Sequence, residues 1–112
     1  MNWIKLDSIG QLSEIDEKSK TAPVAIFKHS TRCSVSLTVL DRLERNLTSE
    51  TVTENYFLDL LAFRSVSNAV AEHYGIEHES PQLLVIRNGK AAHVASHFEI
   101  SPKVLVDEVK SA

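Results

Sequence analysis

Apolar residues along this chain fall into short continuous runs, and the stretches between those runs carry helical spacing. Val24-Ala25-Ile26-Phe27 is one run, bounded by Pro23 and by the polar Lys28-His29-Ser30-Thr31. Such a run predicts a strand buried on both faces, the kind found inside parallel sheets. Residues 56–61 and 83–86 read the same way, and residues 3–6 read as a short edge strand. Ile9, Leu12 and Ile15 share a helical face, and Ser8 with Gln11 has capping-box spacing, so a first helix is expected over 8–19. Leu40, Leu43 and Leu47, with Val35 and Val39 beside them, predict a second helix over 34–46. Val66, Ala69 and Val70 form the buried stripe of a third over 65–74, which Gly75 stops in the left-handed conformation.

Asn88-Gly89 is the strongest hairpin signal, because both turn positions need positive φ. Residues 91–98 are therefore expected to return antiparallel to the strand before the turn. Ser101-Pro102 sets a cap before a first-turn proline and opens a last helix, with Leu105 and Val109 facing inward. The order β-α-β-α-β-α-β-β-α implies an α/β fold with a mixed central sheet and helices on both faces. This is the layout of the thioredoxin fold. At 112 residues the whole chain, 1–112, is expected to form one such domain.

Composition removes several classes of function. The hydrophobic fraction of 43% with 24% charged residues is that of an ordinary globular chain. A net charge of −3 without a dense run of Lys or Arg argues against nucleic acid or a membrane as partner. No apolar stretch reaches the roughly 20 residues of a membrane span, and Met1-Asn2-Trp3-Ile4-Lys5 lacks a secretory layout. A lone cysteine cannot form an internal disulfide, which fits a reducing compartment, the cytoplasm.

That cysteine, Cys33, follows a buried strand and a polar loop and sits at the mouth of a helix. Unpaired amides and the positive end of the helix dipole favour the thiolate there. Lys28, His29 and Arg32 add positive charge nearby in sequence. The plain alternative is a small buried hydrophobe. In Cys33-Ser34-Val35-Ser36 a dithiol oxidoreductase would keep its resolving cysteine where Ser36 stands. A mixed disulfide at Cys33 must therefore be resolved by an external thiol. The Ser36 hydroxyl has two candidate partners, the Cys33 sulfur and first-turn backbone. Pro81 opens a strand, and the background rate of cis X–Pro bonds, about 5–6%, predicts a trans bond. His93 and His97, read on one strand, stand about 13 Å apart at about 3.3 Å per residue, too far for one metal. No metal site is expected, and most histidines read as solvated. Arg64 before the third helix is an odd choice on dipole grounds. It points to a nearby carboxylate or to a solvated side chain.

Taken together, Lys28-His29-Ser30-Thr31-Arg32-Cys33-Ser34-Val35-Ser36, Arg64 with Ser67-Asn68, and His78-Glu79-Ser80-Pro81-Gln82 resemble the monothiol bacilliredoxin family over nearly the whole chain. The resemblance implies a thioredoxin fold, Cys33 as nucleophile, and Pro81 as a cis-proline facing it. It also implies that the Ser80 backbone docks an extended substrate segment. It departs at Ser34, where the family usually carries proline; the extra N–H of serine adds a donor beside the thiolate. The implied reaction removes a low-molecular-weight thiol, bacillithiol or another, from mixed disulfides on cytoplasmic proteins. That thiol is a co-substrate, and no bound cofactor is expected. Ser34, Ser36 and Arg32 would support the thiolate, and Lys28, His29 and Arg64 are candidate anion contacts. Two rival readings remain. One is a non-catalytic thioredoxin-like protein-binding module with an inert Cys33. The other is an iron–sulfur site like that of monothiol glutaredoxins, whose usual Gly-Phe after the cysteine is absent here.

Overall fold

The computed structural model describes residues 3–46 and 54–100. Its elements are β1 (Trp3–Lys5), α1 (Gln11–Lys18), β2 (Val24–His29), α2 (Ser34–Asn46), β3 (Glu54–Asp59), α3 (Arg64–Tyr74), β4 (Gln82–Arg87) and β5 (Lys90–Ser96), followed by a short 3₁₀ turn at His97–Glu99. The five strands form one sheet in the order β1-β3-β2-β4-β5. β1 and β2 run parallel to β3, whereas β4 runs antiparallel to both β2 and β5. The sheet is therefore mixed, as the element order predicts.

β2 sits at the centre and all six of its residues are buried. Alternation along the strand divides them between two cores. Val24 and Ile26 join Leu84, Ile86, Tyr56 and Leu58, and the α1 and α3 residues Leu12, Ile15, Val66 and Val70 pack onto them. Ala25 and Phe27 face the other way with Leu83 and Val85, covered by Val39 and Leu43 of α2 and by Ile100. Helices thus lie on both faces, α1 and α3 on one and α2 on the other. Asp16 of α1 joins the two helices of the shared face. It lies 2.6 Å from His73 Nε2 and accepts the Tyr74 hydroxyl at 2.8 Å. Burial and the neighbouring carboxylate push the Tyr74 hydroxyl up, so it remains a neutral donor.

The predicted boundaries hold for α2 and shift elsewhere. α1 begins at Gln11 rather than near 8, because residues 8–10 form a turn. Gln11 Oε1 reaches back to the Asp7 and Ser8 amides at 2.8 and 3.0 Å, which is half of a capping box. Ile9 consequently misses the buried face and is 53% exposed. β2 runs two residues further than its apolar core, taking in Lys28 and His29. β5 ends at Ser96, so His97, at φ 54°, opens the 3₁₀ turn instead of sharing a strand with His93. Leu47 and the helix expected from Ser101 lie outside the described residues.

Gly75 closes α3 at φ 63°, and Asn88 and Gly89 turn the hairpin at φ 53° and 72°. The hairpin tip is tied to the end of α1, since the Asn88 and Gly89 amides donate to Ser19 O and Oγ at 2.9 and 2.8 Å. Only ordinary contacts with Asp16 await a Cβ at Gly89, so the left-handed backbone alone opposes a side chain there. Gly89→Ala is expected to lower stability by about 1–2 kcal/mol, read from the urea midpoint. An unchanged midpoint would show that the turn relaxes at no cost.

Candidate functional site

β2 and β3 are parallel neighbours and finish in register, His29 opposite Asp59, while β4 starts with Gln82 opposite Lys28. The loop after β2 (30–33), the loop after β3 (60–63) and the segment before β4 (75–81) therefore meet at one end of the sheet. This is the end at which open α/β folds place their ligands. The Leu60 amide donates to His29 O at 3.1 Å, which joins the first two loops.

Cys33 caps α2. Its carbonyl accepts the Leu37 amide at 3.1 Å, the first rung of the helix, and its own amide donates to Ser30 O at 3.1 Å. The thiol is free and half-buried. No acidic residue occupies the first turn of α2, so no local carboxylate opposes the positive end of the helix dipole. A buried inert thiol, the plain alternative, would need the sulfur sealed in a core; Cys33 belongs to neither apolar cluster.

Ser36 is 0% exposed and bonds neither of the partners expected for it. Its hydroxyl lies 2.7 Å from His29 Nδ1 and accepts the Ser30 amide at 3.1 Å. It thus fastens the loop that carries Cys33 to the first turn of α2. His29 faces α2 and packs its ring against Phe27 and Phe57, with centroids 6.0 and 5.3 Å away. Burial pushes its pKa below the usual histidine value, with Asp59 and Glu44 opposing weakly. A buried neutral ring is not an anion contact, which corrects that expectation for His29.

Lys28 requires the same correction. It is 0% exposed and points to the opposite face, where its ammonium donates to Ser67 O at 3.1 Å and to His78 Nδ1 at 3.2 Å. Burial lowers its pKa to about 8. Among the described residues no carboxylate lies within ion-pair distance of it. His78 is held below its ordinary value, first by burial and then by the Lys28 and Arg64 charges, against a smaller pull from Glu79. Lys28, Ser67 and His78 thus form a second polar cluster. Sequence reading missed it because a lysine after an apolar run looks like the polar end of a strand. Three of the five histidines, His73, His78 and His97, are exposed as expected, although His73 pairs with Asp16 and His97 lies 3.8 Å from Glu79; His29 is the buried exception.

The Ser80–Pro81 bond is cis, against the background rate and in line with the family resemblance. Pro81 is buried, and its carbonyl accepts the His97 amide at 3.0 Å. Ser80 Oγ is buried without a hydrogen-bond partner. Arg32 and Ser34 are exposed beside Cys33, and Arg64 is exposed as the first residue of α3. Among the described residues no three His, Cys, Asp or Glu side chains form a metal-binding group, and no helix is long and apolar enough to cross a membrane.

The family model for monothiol bacilliredoxin BrxC matches residues 4–105. The chain belongs to the monothiol bacilliredoxin family. A solved structure with a thioredoxin fold, itself proposed to be an oxidoreductase, is 30% identical and superposes with a TM-score of 0.81, covering 94% of this chain and 91% of its own. The thioredoxin of Malassezia sympodialis superposes at 0.69 with 15% identity over 98% of this chain and 90% of its own. That of Schistosoma mansoni does so at 0.66 with 19% identity over 99% and 98%. The fold is that of thioredoxin, and the bacilliredoxin is a redox protein of the thioredoxin-like oxidoreductase kind. Within it, Cys33, Ser36 and His29 gather on the α2 face, and Lys28, Ser67 and His78 on the α3 face.

The buried charge of this bacilliredoxin has a pH signature. Folded Lys28 loses its proton near pH 8, whereas the unfolded lysine keeps it to about 10.5. Below pH 8 the folded state carries the full desolvation penalty, and stability rises as pH climbs from 8 to 10.5. Lys28→Met removes that penalty. The variant is expected to be more stable than wild type at pH 7, with the gap narrowing by on the order of 2–3 kcal/mol by pH 10. Denaturant unfolding at both pH values checks this, and a gap independent of pH would refute it.

Proposed function

We infer that this bacilliredoxin runs a one-thiol exchange cycle at Cys33 that strips a low-molecular-weight thiol, bacillithiol, from mixed disulfides on cytoplasmic protein cysteines. The observation that carries the reading is the sole thiol at the cap of α2, with the buried hydroxyl of Ser36 at the position of a resolving sulfur.

The Cys33 thiolate attacks the small-thiol sulfur of the mixed disulfide. A new S–S bond forms, the old one breaks, and the protein sulfur leaves as thiolate and takes up a proton. A second small thiol, as thiolate, attacks the small-thiol sulfur of the Cys33 adduct. This releases Cys33 and a small-molecule disulfide, so the electron pair that reduces the protein substrate comes from that second thiol. The α2 dipole supports the sulfur anion, and the Ser34 amide and the Arg32 charge add to it. Ser36 acts by holding the loop rather than by touching the sulfur. The Ser80 main chain beside Pro81 pairs with an extended substrate segment. Arg64 is the exposed candidate for a carboxylate of the small thiol.

Mixing the protein with a bacillithiolated substrate is expected to yield the small-thiol adduct on Cys33 by mass spectrometry. Cys33→Ser should form no adduct and release substrate thiol at least 100-fold more slowly. Equal release by the variant would end the proposal and favour an inert binding module. Ser36→Cys supplies the missing second sulfur, so the adduct on Cys33 should no longer persist and an internal disulfide should replace it. A stable adduct in that variant would show that the buried site cannot resolve one.

A further inference from the structure

Lys28 is a full positive charge enclosed between the sheet and α3, with no carboxylate partner among the described residues. Burial of such a charge is costly, and an ordinary apolar residue would fill the position more favourably. The exchange chemistry does not use it, since strand alternation sends Lys28 to the α3 face while Cys33 opens the helix on the other. What the ammonium does hold is His78. An ammonium has donors only, so His78 Nδ1 must accept, and the neutral ring carries its proton on Nε2. Ser67 Oγ lies 3.3 Å from the same nitrogen, and the Arg64 and Glu79 charges also act on the ring.

His78 belongs to the irregular segment that leads into Ser80 and Pro81. Besides the Ser67 Oγ approach to His78 and the 3.8 Å His97–Glu79 pair, three hydrogen bonds tie residues 77–81 down. Glu77 O accepts Gln82 Nε2 at 2.9 Å, Pro81 O accepts the His97 amide at 3.0 Å, and His78 takes the Lys28 ammonium. The first two fasten it to β4 and to the turn after β5. The third fastens it to β2, the strand that delivers Cys33.

We propose that Lys28 is a positioning residue which, through His78, sets the separation between the Ser80–Pro81 segment and the strand leading to Cys33, and so governs engagement of protein substrates rather than reactivity of the sulfur. The proposal rests on the docking role of Ser80 in the function proposed above. It also gives a use to a buried charge whose desolvation is costly.

The test uses the full chain as wild type, Lys28→Met, His78→Ala and the double variant. By NMR, Lys28→Met should raise the titration midpoint of the His78 ring, and both single variants should lower the backbone order parameters of Glu77 to Ser80 from about 0.85 toward 0.6. KM for a bacillithiolated protein should rise about tenfold in each single variant and no further in the double variant, because each breaks the Lys28–His78 contact they share. KM for a small mixed disulfide and the rate of Cys33 alkylation by iodoacetamide should stay at wild-type values. Unchanged order parameters in both variants, or alkylation slowed by the same factor as KM rises, would overturn the proposal. If wild type acts on no mixed disulfide, the proposed function fails, and the order parameters still decide whether Lys28 holds the segment.

Discussion

Burial of β2 on both faces is the constraint from which the rest of the molecule follows. A central strand with no solvated side must find an apolar partner for every outward residue, and Val24 to Phe27 do so on alternate faces. Lys28 and His29 continue the same alternation at the strand end, where the loops converge. One polar side chain is thereby delivered to the α3 face and one to the α2 face, each buried and each needing a partner. The two polar clusters of the site are the answers to that requirement.

On the α2 face the answer is Ser36. A serine in the first turn of a helix commonly bonds its own helix, but here it bonds backwards, to the His29 ring and to the Ser30 amide. The loop of four residues before the helix is thus closed at both ends, which is what keeps Cys33 at the cap. The position of a second sulfur in a two-thiol enzyme is used here for architecture. On the α3 face the answer is less favourable: an ammonium held by a carbonyl and an imidazole, with a lowered affinity for its own proton. Stability and positioning oppose one another at this residue.

The convergence of three loops also explains why a small fold with ordinary composition builds a site at all. Parallel β2 and β3 must end together, and antiparallel β4 must begin beside them. Cys33, the α3 start with Arg64, and the Ser80–Pro81 segment are brought to one end of the sheet by topology before any side chain is chosen.

Local pattern determined the element order from β1 to β5, the hairpin at Asn88-Gly89, the stop at Gly75 and the cysteine at the head of α2. Each depends on spacing or backbone geometry that neighbours in sequence specify. The motif around Cys33, with Ser80-Pro81, also showed the family. Tertiary structure alone decided that β2 runs on through Lys28 and His29, that Ile9 faces solvent, that His97 leaves the strand, and that Ser36 turns to His29. It also decided the Lys28–His78 contact, which joins residues fifty apart in sequence. The reason is physical: a polar residue announces that it needs a partner, but the partner is set by which elements pack together, and short-range pattern does not encode that pairing.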